Sequence, residues 1–361
     1  MKVNDLRVNR ILIYAVIGFL LASWLIQGRV GVSSKVVATP GSVEVVLSDR
    51  NNPTAFQPRD AGETFRIAWV GGSEFDTETG LLPKYLTDQV SAIGDRPISI
   101  DAYLVQGMRT TDDYMAIRSA IDSKPDAIIF SLNPIWLFNS AAAQGWQQSS
   151  PELLRVSANE PTGINRALLF SNPWDALMAS IAPKSTLVRE RYTFSQAFRS
   201  KAEAYWPDAI SLTGSNSTNS KLSALKDDKS PVEFWLAEKN ELASNKSWTD
   251  SSANTQTVRE MFAALEYSEI PSYVYLGQLN PSFLLDNSQA ATNVESRLKT
   301  IVFSSKSIYF QSQLLNRYLP LDESLFKDNV HFSDGKPAGE FISQAFCQQV
   351  IKPQLDMECN K

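Results

Sequence analysis

Histidine is nearly absent from this chain: its 361 residues include one, His331, alongside only two cysteines, Cys347 and Cys359. A zinc site built from several imidazoles is excluded, and two thiolates with one imidazole cannot close a Cys₄ or Cys₂His₂ site. Any imidazole chemistry must run through His331. Basic residues are in deficit as well, 34 against 39 acidic ones, for a formal net charge of −5. No run of Lys and Arg supplies the electrostatic footprint of a phosphate-backbone binder, so no nucleic-acid partner is expected. With 43% apolar and 20% charged residues, the composition excludes a disordered, collagen-like or low-complexity chain.

Long apolar runs are scarce too. The longest, Ile11–Ile26, holds sixteen residues without a formal charge and follows Lys2, Arg7 and Arg10. It is slightly short of the roughly 20 residues of a membrane span, but Gln27 and Gly28 can extend it into the interface. The basic residues before it assign that side to the cytoplasm. Residues 1–28 are therefore expected to form a cytoplasmic tip and an uncleaved, single-pass signal anchor, with the rest outside. A cleaved signal peptide is the competing reading, although Gln-Gly-Arg-Val-Gly-Val after the core offers no small-x-small cleavage site. Cys347 and Cys359, with eleven residues between them, suit an exported protein, either as a bridge pinning the tail or as two independent thiols.

Residues 29–64 are rich in Ser, Pro, Asn and Gly, with one strand-like run at Val43–Leu47, and are expected to be a stalk or linker. The body, 65–361, opens with FRIAWVGGSEF, a buried strand leaving into a tight turn. A helix is expected over 80–93, a strand over 98–105, a helix over 112–123 and a strand over 126–132. Alternation at this spacing predicts an α/β fold: a doubly wound α/β/α sandwich about a parallel sheet. From about 139 to 254 the periodicity breaks, as in a helical insertion with a polar loop at 213–230. Helical and strand patterns return at 257–270, 272–279 and 291–304, and Lys336–Val350 closes the chain as a helix.

Ligands of open α/β sheets bind beyond the strand ends. After the first strand come Val70-Gly71-Gly72-Ser73-Glu74, where the glycines permit a sharp turn that leaves Ser73 exposed with an available N–H. Serine is a poor nucleophile without a base, and the base needs an orienting acceptor. Asp328-Asn329-Val330-His331, ahead of the last helix, supplies both from one segment. Asn133, in Ser131-Leu132-Asn133-Pro134-Ile135-Trp136, ends the third strand, and Gly107 follows the second. An amide N–H₂ and a backbone N–H at these places can hold an oxyanion. Taken singly, each of these residues also reads as an ordinary turn or structural residue.

Together, Ser after strand one, Gly after strand two, Asn after strand three and Asp-x-x-His near the C-terminus resemble the SGNH (GDSL-like) hydrolase superfamily, over about 65–133 and 321–346. The resemblance implies Ser73 as nucleophile, His331 as general base and Asp328 as its orienter, with Ser73, Gly107 and Asn133 forming the oxyanion hole and no cofactor or metal. Gly72 stands where that superfamily usually has Asp, and Pro134 where Asp often follows Asn. Gly-Gly-Ser-Glu (71–74), Leu-Asn-Pro-Ile-Trp-Leu-Phe (132–138), the anchor and the insertion look more narrowly like the DltD family and AlgX/AlgJ-type periplasmic proteins. That likeness implies a serine acyltransferase or esterase acting on O-acyl groups, acetyl above all, of an envelope or exported polysaccharide. It would work at the outer face of the inner (cytoplasmic) membrane, beside a membrane-bound O-acyltransferase. The alternative is a non-catalytic glycan-binding or scaffold subunit, for which some of the eight tryptophans, such as Trp136, Trp146, Trp174, Trp206, Trp235 and Trp248, would be stacking platforms. Most large aromatics are core residues, so burial is the plainer reading of these.

Overall fold

The structure is a computed structural model that describes residues 64–72, 86, 88–105, 110–134, 253–284, 288–302, 305–315, 322–326, 330–332 and 335–360, and the backbone of 35–38, 44–48, 76–77 and 80–81. The expected anchor, most of the insertion and most of the 29–64 stretch lie outside these residues. No helix among the described residues is long and apolar enough to cross a membrane.

Apolar runs without alternation are what a strand needs when both its faces are covered. Phe65–Gly72 (β3) and Ala127–Leu132 (β8) are such runs, buried at every position, and Ser272–Leu276 (β9) is buried throughout as well. With Arg96–Val105 (β7) and Ile308–Ser312 (β10) they form a parallel core in the order β7-β3-β8-β9-β10. Glu44–Ser48 (β2) adds in parallel to β7, and Lys35–Ala38 (β1) pairs with β2 antiparallel at the margin. Both lie inside the stretch expected as a stalk, so part of that stretch belongs to the sheet. The sheet is mixed but mostly parallel, as an α/β fold requires.

Helices cover both faces. Ala68, Val70, Tyr103, Phe130, Leu132 and Val274 pack against Thr110–Asp122 (α1), Ala253–Ser268 (α2) and Ser288–Val302 (α4), with the short Pro281–Leu284 (α3) between the last two in sequence. Ile67, Trp69, Ile100, Ile129, Tyr273 and Tyr275 point the other way, towards Leu86, Phe326, Phe332 and Lys336–Phe346 (α5). In α5 the buried Ala338, Ile342, Ala345 and Phe346 recur at helical spacing and form one apolar stripe.

The helices before β8 and β9 stop in the same way. Ser123 Oγ donates to Ala120 O at 2.7 Å, Lys124 takes φ +53° and Pro125 is next; Ser268 Oγ donates to Leu265 O at 2.7 Å, Glu269 takes φ +56° and Pro271 comes two residues on. A left-handed residue followed by proline cannot continue a helix, and the chain turns into the next strand.

The helix expected over 80–93 is corrected at both ends. Gly80–Leu81 (β5) pairs with Asp76–Thr77 (β4), and Ala92–Ile93 (β6) pairs with the start of β7. Only Leu86, Asp88 and Gln89 are described as helical in between. The reason at the C-terminal end is Gly94, whose φ of +59° makes Gly94-Asp95 a two-residue hairpin turn between Ile93 and Arg96. β10 was not legible as a strand from its sequence, and the expected strand at 272–279 ends at Leu276.

After α5 the chain makes a π-helical turn, Cys347–Ile351, and a short helix, Lys352–Leu355 (α6). Cys359–Asn360 (β11) then pairs with β6, and Cys347 and Cys359 form a disulfide. The bridge resolves the two alternatives left open for these cysteines.

Candidate functional site

From β3 the chain passes to one side of the sheet, into β7, and then back across to β8 on the other side. Connections that diverge in this way leave a crevice beyond the carboxyl ends of the strands, the preferred ligand position in open α/β sheets. The register brings those ends together. Gly72 at the end of β3 pairs with Val105 at the end of β7, and Leu132 at the end of β8 pairs with Leu276 of β9. Gly277 N donates to Leu132 O at 3.2 Å, and Gln313 N to Leu276 O at 2.9 Å, so the row continues to β10.

The approach to this edge is tight. A Cβ on Gly71 would stand 3.0 Å from Ser131 Cβ and 3.2 Å from Leu104 Cδ2, so glycine is what lets β3 run between β7 and β8 here. Trp69, two residues earlier and fully buried, donates its indole N–H to Ser131 Oγ at 3.2 Å. The segment that leads into Ser73 is thus fixed by packing on both flanks.

Of the residues singled out from the sequence, Asn133 and His331 are described; Ser73, Gly107 and Asp328 lie outside the described residues. Asn133 follows the last residue of β8 and is 7% exposed, so its amide stands at the strand-end row rather than in solvent. His331 is half-buried. Its neighbours diverge: Val330 belongs to the core on the α1 side of the sheet and Phe332 to the core on the α5 side. Alternate residues of a strand share a face, so a chain that puts side chains two residues apart into opposite cores is passing around the rim of the sheet, and His331 rides on that crossing. Phe332 anchors it through a β-bridge to Phe326, with ring centroids 4.9 Å apart. The tail fixes which rim this is. Past α5 and α6 the chain pairs with β6, next to the amino end of β7, so α5 starts at the carboxyl rim.

Two strand-end groups were not anticipated from the sequence. Tyr275 Oη donates to Gln278 Oε1 just past β9. Asn280 Oδ1 accepts from Ser282 N at 3.0 Å and Ser282 Oγ at 2.8 Å, which caps α3. The available signal was the change from SYVYL to Gly-Gln-Leu-Asn, polar side chains placed where an apolar strand ends. Burial pushes the Tyr275 phenol far up from its ordinary value, and it does the same to Tyr273, which donates to Gln311 Oε1 at 2.6 Å. Both phenols therefore stay protonated and act as donors. Among the described residues, no group of three or more His, Cys, Asp or Glu side chains is placed to hold a metal ion.

These features define an α/β protein with a polar strand-end edge at the point where its connections diverge. No protein-family model matches the chain, and no curated protein matches it.

Proposed function

We propose that the protein is an extracytoplasmic serine acyltransferase or esterase of the SGNH type, anchored by its N-terminal segment and acting on O-acyl groups of an envelope polysaccharide. The observation that carries this reading is the meeting of three strand ends. Gly72 ends β3 beside Val105, which ends β7, and Asn133 follows β8, all at the divergence of connections, while His331 lies on the segment that crosses the rim; in the sequence Ser73 comes one residue after β3 and Gly107 two after β7. The Cys347–Cys359 disulfide supports an oxidising compartment, since such bridges persist outside the cytoplasm.

In this reading His331 removes the Ser73 Oγ proton as Ser73 attacks the ester carbonyl, and Asp328 orients the imidazole and stabilises its charged form. The oxyanion is held by the N–H groups of Ser73 and Gly107 and by the Asn133 amide. His331 returns the proton to the departing alkoxide, leaving an acyl-serine. A sugar hydroxyl or water, deprotonated by His331, then attacks the acyl-serine and regenerates Ser73. The membrane-bound O-acyltransferase implied by the family resemblance would be the partner that supplies or receives the acyl group.

The test is covalent labelling of the full chain in detergent with a fluorophosphonate probe. Labelling of the wild type, abolished in Ser73→Ala and reduced at least about a hundredfold in His331→Ala, is expected from the share of the rate owed to a general base. A wild type that takes no label but retains a polysaccharide points instead to a glycan-binding subunit.

A further inference from the structure

Gln278 is 2% exposed, and its Nε2 has no acceptor. Its orientation is fixed by Tyr275. Its Oε1 accepts from Tyr275 Oη, so the amide oxygen faces the phenol and the N–H₂ faces away. Two donors are left without an acceptor in a place that water does not freely reach. Leaving a buried donor in this state is destabilising, and in a native fold such a group calls for an explanation, of which a bound ligand is one.

The position of the amide says where that ligand lies. Gln278 follows Gly277, whose N–H is bonded to Leu132 O, so it stands beside Asn133 at the carboxyl edge. It also lies on the α5 side of the sheet. Its partner Tyr275 packs there against Phe341, ring centroids 6.4 Å apart, in the core that holds Phe326 and Phe332. That is the side from which the segment carrying His331 crosses the rim. The amide and its phenol partner are both uncharged, which suits a neutral oxygen acceptor better than a carboxylate or a phosphate.

We infer that Gln278 is a substrate-binding residue of this edge, its Nε2 donating to an oxygen of the sugar that carries the acyl group. The inference rests on the acyl-transfer reading and deepens it. Gln278 would select a glycan ester over a simple ester, because a site built to hydrogen-bond a substrate oxygen discriminates against analogues that lack it.

The test compares glucose pentaacetate with 4-nitrophenyl acetate as substrates of the full chain, after fluorophosphonate labelling of the wild type. In Gln278→Met the ratio of kcat/KM for the sugar ester to that for the nitrophenyl ester should fall about tenfold or more, mostly through KM for the sugar ester. Should thermal melting show that Gln278→Met does not hold its fold, Gln278→Glu replaces it, since the glutamate keeps the acceptor for Tyr275 and removes both donors. A labelled wild type whose Gln278 variant keeps the wild-type ratio overturns the inference alone, and so does a variant that loses thermal stability without changing the ratio. A wild type that takes no label and hydrolyses neither ester overturns the acyl-transfer reading, and the inference with it.

Discussion

Trp69 on β3 donates its indole N–H to Ser131 Oγ on β8 across 3.2 Å, and the same serine is the nearest obstacle to a side chain at Gly71. One small hydroxyl residue thereby serves two neighbours. It satisfies a buried donor, and it is small enough for the end of β3 to pass.

Gly71→Ala and Ser131→Ala should both destabilise the protein, by different routes. The alanine at 71 must displace Ser131 or Leu104 in a packed core, at a cost of about 1–3 kcal/mol. The alanine at 131 leaves the indole N–H without its acceptor, costing about 1–3 kcal/mol. Urea unfolding measures both. Only Gly71→Ala should also shift the end of β3, so it should lose probe labelling out of proportion to its loss of stability. Equal losses of labelling in two variants of matched stability would argue against a positional role for Gly71.

Arg66 and Asp101 form an ion pair inside the sheet, 3.2 Å between Nη2 and Oδ2, and Arg66 Nη1 also donates to Ser123 O at 3.1 Å. Removing one partner of a buried pair strands the other charge, which costs about 3–5 kcal/mol. Asp101→Asn should approach that loss. Replacing both residues, as in Arg66→Met with Asp101→Leu, should cost less than either charge-stranding single change. A thermodynamic cycle from chemical denaturation gives the comparison, and a double variant as damaged as the sum of its singles would contradict it.

Cys347 and Cys359 close a short loop that ties the π-helical turn after α5 to β11 and hence to β6. In the chain-entropy account a loop of this length is worth about 3 kcal/mol. Cys347→Ser with Cys359→Ser should lower the melting temperature accordingly, and thiol reductant should do the same to the wild type but not to the variant. A variant as stable as the wild type would mean that the bridge contributes nothing to stability.

Glu266 accepts from the hydroxyls of Ser305 and Ser307 and from Lys306 N, linking the end of α2 to the approach to β10. The Ser305 hydrogen bond, against a smaller opposing effect of burial, holds its carboxyl below the usual glutamate range. A folded-state value below the unfolded one stabilises the protein above the unfolded pKa of about 4.3, and that stabilisation is lost as pH falls through the folded value. Glu266→Gln should therefore be less stable than wild type at pH 6, and the gap should close towards pH 3. Denaturant midpoints across this range measure it; a gap independent of pH would mean that the carboxylate charge is not what Ser305 and Ser307 recognise.

The sequence by itself determined the strands and helices that are buried most uniformly. FRIAWVGG and AIIFSL are unbroken apolar runs because both faces of a central parallel strand are covered, and the stripe of α5 shows its period because one side of that helix meets the core. It also brought forward the strand-end residues and the single histidine. Tertiary structure alone decided what depends on distant partners. β10 ends the described sheet with mixed burial, so IYFQS carries no clear period; β6 and β11 are two-residue segments paired through β7 and the tail; and the strand-like run that becomes β2 gave no sign of its place beside β7. The order β7-β3-β8, the crossing of Val330 and Phe332 between two cores, and the buried amide of Gln278 follow from the closing of the sheet, because hydrogen-bond pairing and burial join residues whose separation in the chain carries no trace of their meeting.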